Sequence, residues 1–291
     1  MTGSPPKNRA AEMSLALVCL AWGTTFVLVK NALSDISTVL FLAMRFSIAT
    51  VILAAVYGLR GGRLTTAGLG AGVLTGGLLY SGYLLQTLGL RHTTPATSAF
   101  ITSLYIVMVP LLAAAIYRKT PGPAEWTGIG FASVGMALLT LSSANFSAGS
   151  GELLTLGCAF AFALHILALG HFSKRMSTDW LSLLQIATCG FIGLASFRWV
   201  EPVVLHWSRP VVVALAVTSV FATALAFWIQ TWAQARTTPT RAALIFSLEP
   251  VFAWLTSWLL HGEVLTVRAL AGAGCIFAGI LLVELKPMRT E

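Results

Sequence analysis

The chain has 291 residues, 57% of them apolar and only 10% charged, with a mean hydropathy of +0.84. A soluble domain carries about 25% charge, so these proportions exclude an ordinary water-soluble fold and point to a bilayer. The formal charge of +8 and pI near 9.7 do not announce a nucleic-acid partner, because the basic residues stand in ones and twos in short loops and form no stripe interleaved with aromatics.

In chain order, residues 1–12 form a polar N-terminal tail, expected to be cytoplasmic, in which Lys7 and Arg9 precede the first apolar run. No short apolar segment ending in a small-residue cleavage site follows, so that run reads as a retained span. Ten runs are expected to cross as helices, at roughly 13–32, 37–59, 66–90, 94–117, 124–143, 152–171, 179–199, 209–234, 238–260 and 266–285. Short turns rich in Gly, Pro, Ser or charge separate them, among them Thr93-Thr94-Pro95 and Thr237-Thr238-Pro239. Helices are expected because backbone groups in hydrocarbon must pair within their own segment, and the sequence lacks the alternation of barrel strands.

Basic residues give the orientation. One side collects Lys7, Arg9, Arg60, Arg63, Arg118, Lys119, Lys174, Arg175, Arg236, Lys286 and Arg289, and the other only Arg91, Arg198, Arg209 and Arg268. Both termini are therefore expected in the cytoplasm. Cys19, Cys158, Cys189 and Cys275 all fall inside apolar runs with no CxxC or Cys/His cluster, so no disulfide, metal site or cofactor is expected.

The chain repeats itself. At an offset of 144, Gln86-Thr87, Thr93-Thr94-Pro95, Ala99, Ile101, Ser103-Leu104, Gly128, Gly130 and Gly135 meet Gln230-Thr231, Thr237-Thr238-Pro239, Ala243, Ile245, Ser247-Leu248, Gly272, Gly274 and Gly279. Nearer the N-terminus the offset is 140, with Glu12 facing Glu152 and Arg45 facing Gln185. The halves are set at 13–143 and 152–285, with a connecting loop at 144–151 and a cytoplasmic tail at 286–291. About five spans in each half force opposite orientations, which makes an all-α integral membrane fold with an inverted repeat and a central site between the halves.

These residues carry a family resemblance. Trp22-Gly23 followed by Lys30, then Arg45, then Leu88–Ala99, then Ser247-Leu248-Glu249-Pro250-Val251, Gly262-Glu263 and the glycines near the C-terminus resemble the drug/metabolite transporter superfamily, in its ten-helix EamA-type branch. The likeness runs over essentially the whole chain and extends to the aromatic amino-acid and drug exporter subgroup. It implies export of small metabolites, commonly amino acids, through a cavity between the halves. One departure is visible: Tyr105-Ile106 stands where the second half has Glu249-Pro250, and the first half's proline falls later, at Pro110.

Glu249 is the acid placed near mid-membrane, where a charge costs at least about 2.5–3.5 kcal/mol on insertion scales. It reads either as a proton-coupling carboxylate or ammonium partner, or as a structural acid bonded to Arg45 or to a freed backbone group beside Pro250. Arg45 reads as that structural partner or as a clamp on a substrate carboxylate. Lys30 can snorkel from the end of the first span or touch substrate. His165 can titrate near neutrality or simply pack. The cavity candidates are Trp22, Thr24, Thr25, Tyr80, Tyr83, Ser98, Phe100, Thr102, Tyr105, Trp228, Phe246 and Ser247, with Phe160 and Trp254 also read as interior aromatics. As a set they suit an aromatic-walled cavity for an amphipathic solute.

The expected function is a secondary active transporter exporting amino acids, aromatic or otherwise neutral, or similar small metabolites by alternating access. Its partners would be that solute, the lipid bilayer (a bacterial inner membrane) and, where Glu249 couples transport, protons, with no nucleic acid. Within transport the alternatives are a nucleotide-sugar carrier, which would want more cavity Lys or Arg, and a drug or cation carrier. Outside transport they are a non-transporting receptor and a membrane enzyme. The enzyme would need HExxH, GxSxG, paired acids or a P-loop, none of which the sequence contains.

Overall fold

The computed structural model describes residues 8–57, 65–118, 120–140, 149–261 and 266–285. Most of the N-terminal tail, the Arg60–Arg63 turn, Lys119, most of the connecting loop, Gly262-Glu263 and the C-terminal tail lie outside the described residues. In chain order the helices are α1 (Arg9–Ala32), α2 (Thr38–Tyr57), α3 (Thr66–His92), α4 (Pro95–Thr102), α5 (Tyr105–Tyr117), α6 (Pro123–Thr140), α7 (Ser150–Phe172), α8 (Thr178–Val200), α9 (Arg209–Ser219), α10 (Ala226–Gln234), α11 (Pro239–Phe246), α12 (Glu249–His261) and α13 (Val267–Leu285). A π-helical turn, Val220–Leu225, joins α9 to α10. Among the described residues the fold is otherwise all-helical, with one isolated β-bridge between Ile36 and Leu205.

Seven helical segments are long and apolar enough to cross a bilayer: Arg9–Ala32, Thr38–Tyr57, Thr66–His92, Thr97–Tyr117, Ser150–Phe172, Thr178–Val200 and Arg209–Gln234. Large apolar side chains such as Leu17, Val51, Leu153 and Phe191 face outward along them, as a hydrocarbon solvent requires. Phe160 is among the outward residues, at 48% exposure, so its expected interior place is corrected: it looks away from the core.

Two expected continuous helices are broken. The run from residue 94 divides into α4 and α5 after Thr102, and the run from 238 divides into α11 and α12 after Phe246. Both pairs begin alike. Thr94 and Thr238 cap their helices with side-chain acceptors, each followed by proline at the first helical position, where its missing N–H costs nothing. Both breaks come at a serine, Ser103 or Ser247, whose hydroxyl bonds back to a carbonyl one turn earlier.

Packing follows the internal two-fold. The α2 helix lies against α8 and α6 against α13, each pair uniting matching elements of the two halves; α3 on α7 is mirrored by α9 and α10 on α1. At the α6–α13 crossing the glycines interlock reciprocally. A Cβ on Gly135 would stand 2.5 Å from Gly272 O and one on Gly272 2.7 Å from Gly135 O. Gly128 and Gly279 repeat the arrangement at 2.7 and 2.6 Å. In lipid, helices gain by such close backbone approach, which small residues alone permit. The remaining core is apolar, with Phe41, Phe46, Phe227 and Phe246 fully buried.

Candidate functional site

Pro250 has no N–H to give, so α12 starts at Glu249 and the Phe246 carbonyl is left without that helical bond. Tyr105, the first residue of α5, meets the gap: its hydroxyl lies 3.3 Å from Phe246 O and 3.2 Å from Glu249 Oε2. Tyr105 and Glu249 hold the same place in the two halves, 144 residues apart. Counterpart residues thus touch at the internal axis. Gly23 brings α1 to the same point, since a Cβ there would stand 2.8 Å from both Ala253 N and Glu249 O.

The π turn holds the opposite charge. Arg45, 2% exposed in α2, donates from Nε to Thr223 Oγ1 at 2.7 Å and reaches the Tyr83 hydroxyl at 3.3 Å and Ala222 O at 3.4 Å. Its guanidinium carbon lies 4.5 Å from the Tyr83 ring centroid, a cation–π distance. Trp22 Nε1 donates to the same Ala222 carbonyl at 3.0 Å. A π turn releases carbonyls from the helical ladder, and here the released one serves two donors. The expected Arg45–Glu249 ion pair is therefore corrected. Among the described residues the ion pairs are Arg91–Glu201 and Arg241–Glu12. The π turn and Tyr83 engage Arg45, while Tyr105 stands on Glu249.

Arg45 and Glu249 border one cavity between the halves, of about 50 Å³. At about 10–15 Å³ per water it holds a few waters, so a solute the size of an amino acid requires the helices to part. Its lining is paired across the repeat. Trp22, Thr25 and Phe26 match Phe162, His165 and Ile166 at an offset of 140; Tyr83, Gln86 and Tyr105 match Phe227, Gln230 and Glu249 at 144. Behind His165 stands Gln185, the counterpart of Arg45. His165 Nε2 donates to Gln185 Oε1 at 2.9 Å, and Gln185 Nε2 to Thr231 Oγ1 at 3.1 Å.

Of the residues proposed from sequence, Trp22, Thr25, Tyr83, Tyr105, His165, Phe246, Arg45 and Glu249 come together on this cavity. The others lie off it. Thr24 lines a separate apolar groove of about 400 Å³ between α1 and the α9–α10 segment, beside the outward-facing Leu17 and Phe221. Tyr80 pairs with Ser196 at 3.3 Å; Trp228 donates to Asp179 at 2.8 Å and stacks on Tyr57. Thr102 accepts from Gln86 at 3.2 Å, Ser247 bonds back to Leu244 O at 2.6 Å, Ser98 is fully buried off the lining, and Phe100 and Trp254 pack into the core. Lys30 does not line the cavity. Its Nζ caps the end of α3, on the carbonyls of Leu90 at 2.5 Å, Arg91 at 3.2 Å and Thr93 at 3.1 Å.

Residues not anticipated include Phe162, Phe227, Gln86, Gln230 and Thr223. The repeat carried the signal for two of these, since Phe162 and Phe227 lie 140 and 144 positions from the candidates Trp22 and Tyr83, while Gln86 and Gln230 are each other's counterparts. Nothing in the sequence marks the π turn that makes Thr223 an Arg45 ligand.

Apolar helices enclosing a small, mostly apolar cavity bordered by one arginine and one glutamate define a multi-pass membrane protein. The EamA-like transporter family matches this chain twice, over residues 9–141 and 149–285, and the chain belongs to that family. It is 33% identical over 281 residues to an uncharacterized transporter of Archaeoglobus fulgidus, covering 96% of this chain and 87% of the relative. It is 26% identical to the uncharacterized transporter YvbV of Bacillus subtilis, over 97% and 93% of the two chains. A WAT1-related chloroplastic protein of Arabidopsis thaliana, At3g02690, is also 26% identical, over 90% of this chain and 66% of that one. A solved crystal structure with 18% identity superposes at a TM-score of 0.79 over 96% of this chain and 98% of its own, a likeness of fold.

Proposed function

We propose that the protein exports neutral amino acids, aromatic ones included, or closely similar zwitterionic metabolites from a bacterial cytoplasm by alternating access. The observation that carries this reading is the joint presence of Arg45 and Glu249 on one aromatic-walled cavity. A guanidinium suits a carboxylate, a carboxylate suits an ammonium, and the rings of Trp22, Tyr83, Phe227 and Phe246 suit an apolar side chain. The same residues argue against a nucleotide-sugar carrier, since Arg45 is the cavity's one Lys or Arg among the described lining residues. They also argue against a simple organic cation, which Arg45 would repel.

The wider reading has ten spans in two inverted halves, with both termini cytoplasmic and the halves divided near 143–152. The two family matches, the paired lining and the reciprocal α6–α13 glycines support it. Glu249 is proposed as the proton-coupling group. Counterflow in proteoliposomes, with a panel of labelled neutral amino acids, organic cations and sugar nucleotides run with and without a pH gradient, tests the whole. Neutral amino acids are expected to exchange. Indifference to all of them, alongside exchange of a cation or a sugar nucleotide, overturns the substrate class.

A further inference from the structure

The cavity face of α3 continues Tyr83, Gln86, Leu90 to the turn at Thr93; that of α10 continues Phe227, Gln230, Gln234 to the turn at Thr237. These positions correspond one for one at an offset of 144, yet the two ends of the molecule are sealed differently. At the Lys30 end, among the described residues, no side-chain polar atom of the face is both buried and without a partner. Gln86 donates to Thr102, Leu90 is apolar, Thr93 Oγ1 donates to Glu152 Oε1 at 2.7 Å, and Lys30 caps the carbonyls. At the other end Gln230, Gln234 and Thr237 are 2, 1 and 3% exposed. Among the described residues, Gln230 Oε1, both Gln234 amide atoms and Thr237 Oγ1 have no hydrogen-bond partner. Natural proteins rarely leave buried polar atoms unpaired, because each loses its hydration without compensation. Four on one face, continuing the lining of a solute cavity, point to a surface that is wet in another conformation. Just beyond it Arg241 Nη1 lies 3.5 Å from Glu12 Oε1, joining α11 to α1.

We infer that Gln230, Gln234 and Thr237 line a polar passage from the cavity to the Glu12 end of the molecule, shut in this conformation, and that the Glu12–Arg241 pair is its latch. Gln234 is the position that makes the ends unequal: it gives a passing zwitterion both a donor and an acceptor where Leu90 gives neither. The inference extends the alternating-access reading, but its test is independent of which solute is carried.

The test uses full-length protein in vesicles, with Cys19, Cys158, Cys189 and Cys275 replaced by alanine and a single cysteine placed by Gln234→Cys or Leu90→Cys. The probe is a charged, membrane-impermeant methanethiosulfonate, which reacts with hydrated thiolate. Adding Arg241→Ala is expected to speed labelling at 234 by about tenfold or more, as the local opening it allows becomes populated, while leaving position 90 unchanged. Arg241→Lys, which keeps a cation opposite Glu12, is expected to restore protection. Unchanged labelling at 234, or an equal rise at 234 and 90, overturns the passage and its latch. If amino-acid counterflow fails while the labelling follows this pattern, the substrate class falls and the passage stands.

Discussion

The first half brings Arg45, Thr25 and Tyr105 to the axis, where the second brings Gln185, His165 and Glu249. The backbone around them is nearly the same in both: threonine caps, prolines at the first helical position, breaks at matching serines and interlocked glycines. The side chains at the axis differ, as do the π turn that α3 lacks and the sealing of the two ends. The difference teaches that the duplicated frame provides a two-fold cavity, while departures from symmetry give that cavity its poles. A symmetric copy of either half would leave two cations without an acid, or two acids without a cation.

Making the halves alike should therefore remove function in proportion to the chemistry erased. The largest effect is expected from Arg45→Gln, which copies Gln185. Removing one partner of a buried, hydrogen-bonded charge costs about 2–5 kcal/mol, so transport should fall at least about thirtyfold with the protein still inserted, as counterflow and surface labelling would show. Glu249→Gln follows. It keeps the shape and the Tyr105 contact but not the charge, and a hydrogen bond to a charged group contributes about 1.5–3 kcal/mol. Affinity for a neutral amino acid should drop about tenfold or more, and dependence on a pH gradient should disappear. Gradient dependence that persists in this variant makes the acid structural.

Gly135→Ala tests the frame itself. Overpacking against the Gly272 carbonyl should cost about 1–3 kcal/mol and lower the thermal midpoint in detergent. Gly130→Ala, where nothing lies within 4 Å, should leave it unchanged. Tyr105→Phe is the mildest break. It removes one hydroxyl from Glu249 and Phe246, a loss of about 1 kcal/mol, and should weaken binding several-fold while leaving gradient dependence in place.

Much of the frame was legible because it is written twice. The threonine–proline turns, the glycine matches and the break in symmetry at Glu249 are all visible as aligned letters. The lining was half legible, for a reason of helix geometry. Candidates chosen by depth in the membrane and by side-chain type ignore which face of a helix they occupy. Trp22, Thr25, Phe26 and Val29 share one face of α1, whereas Thr24, two residues from Trp22, turns about 200° away into the apolar groove. Trp228 fails in the same way, one residue past Phe227, and Tyr80, one residue past Leu79, sits at the edge of the lining face and turns to Ser196 instead. The π turn at Val220–Leu225 depends on tertiary partners: Ala222 leaves the ladder where Trp22 and Arg45 wait for it.

The claim at the centre is that Arg45 and Glu249 grip opposite ends of one zwitterion. Calorimetric titration of the purified protein with a neutral L-amino acid, its decarboxylated amine and its deaminated acid tests this most directly. The account predicts that the amino acid binds and that each analogue binds at least about tenfold more weakly, the loss of one charged contact. An amine or an acid that binds as tightly as the parent would contradict it.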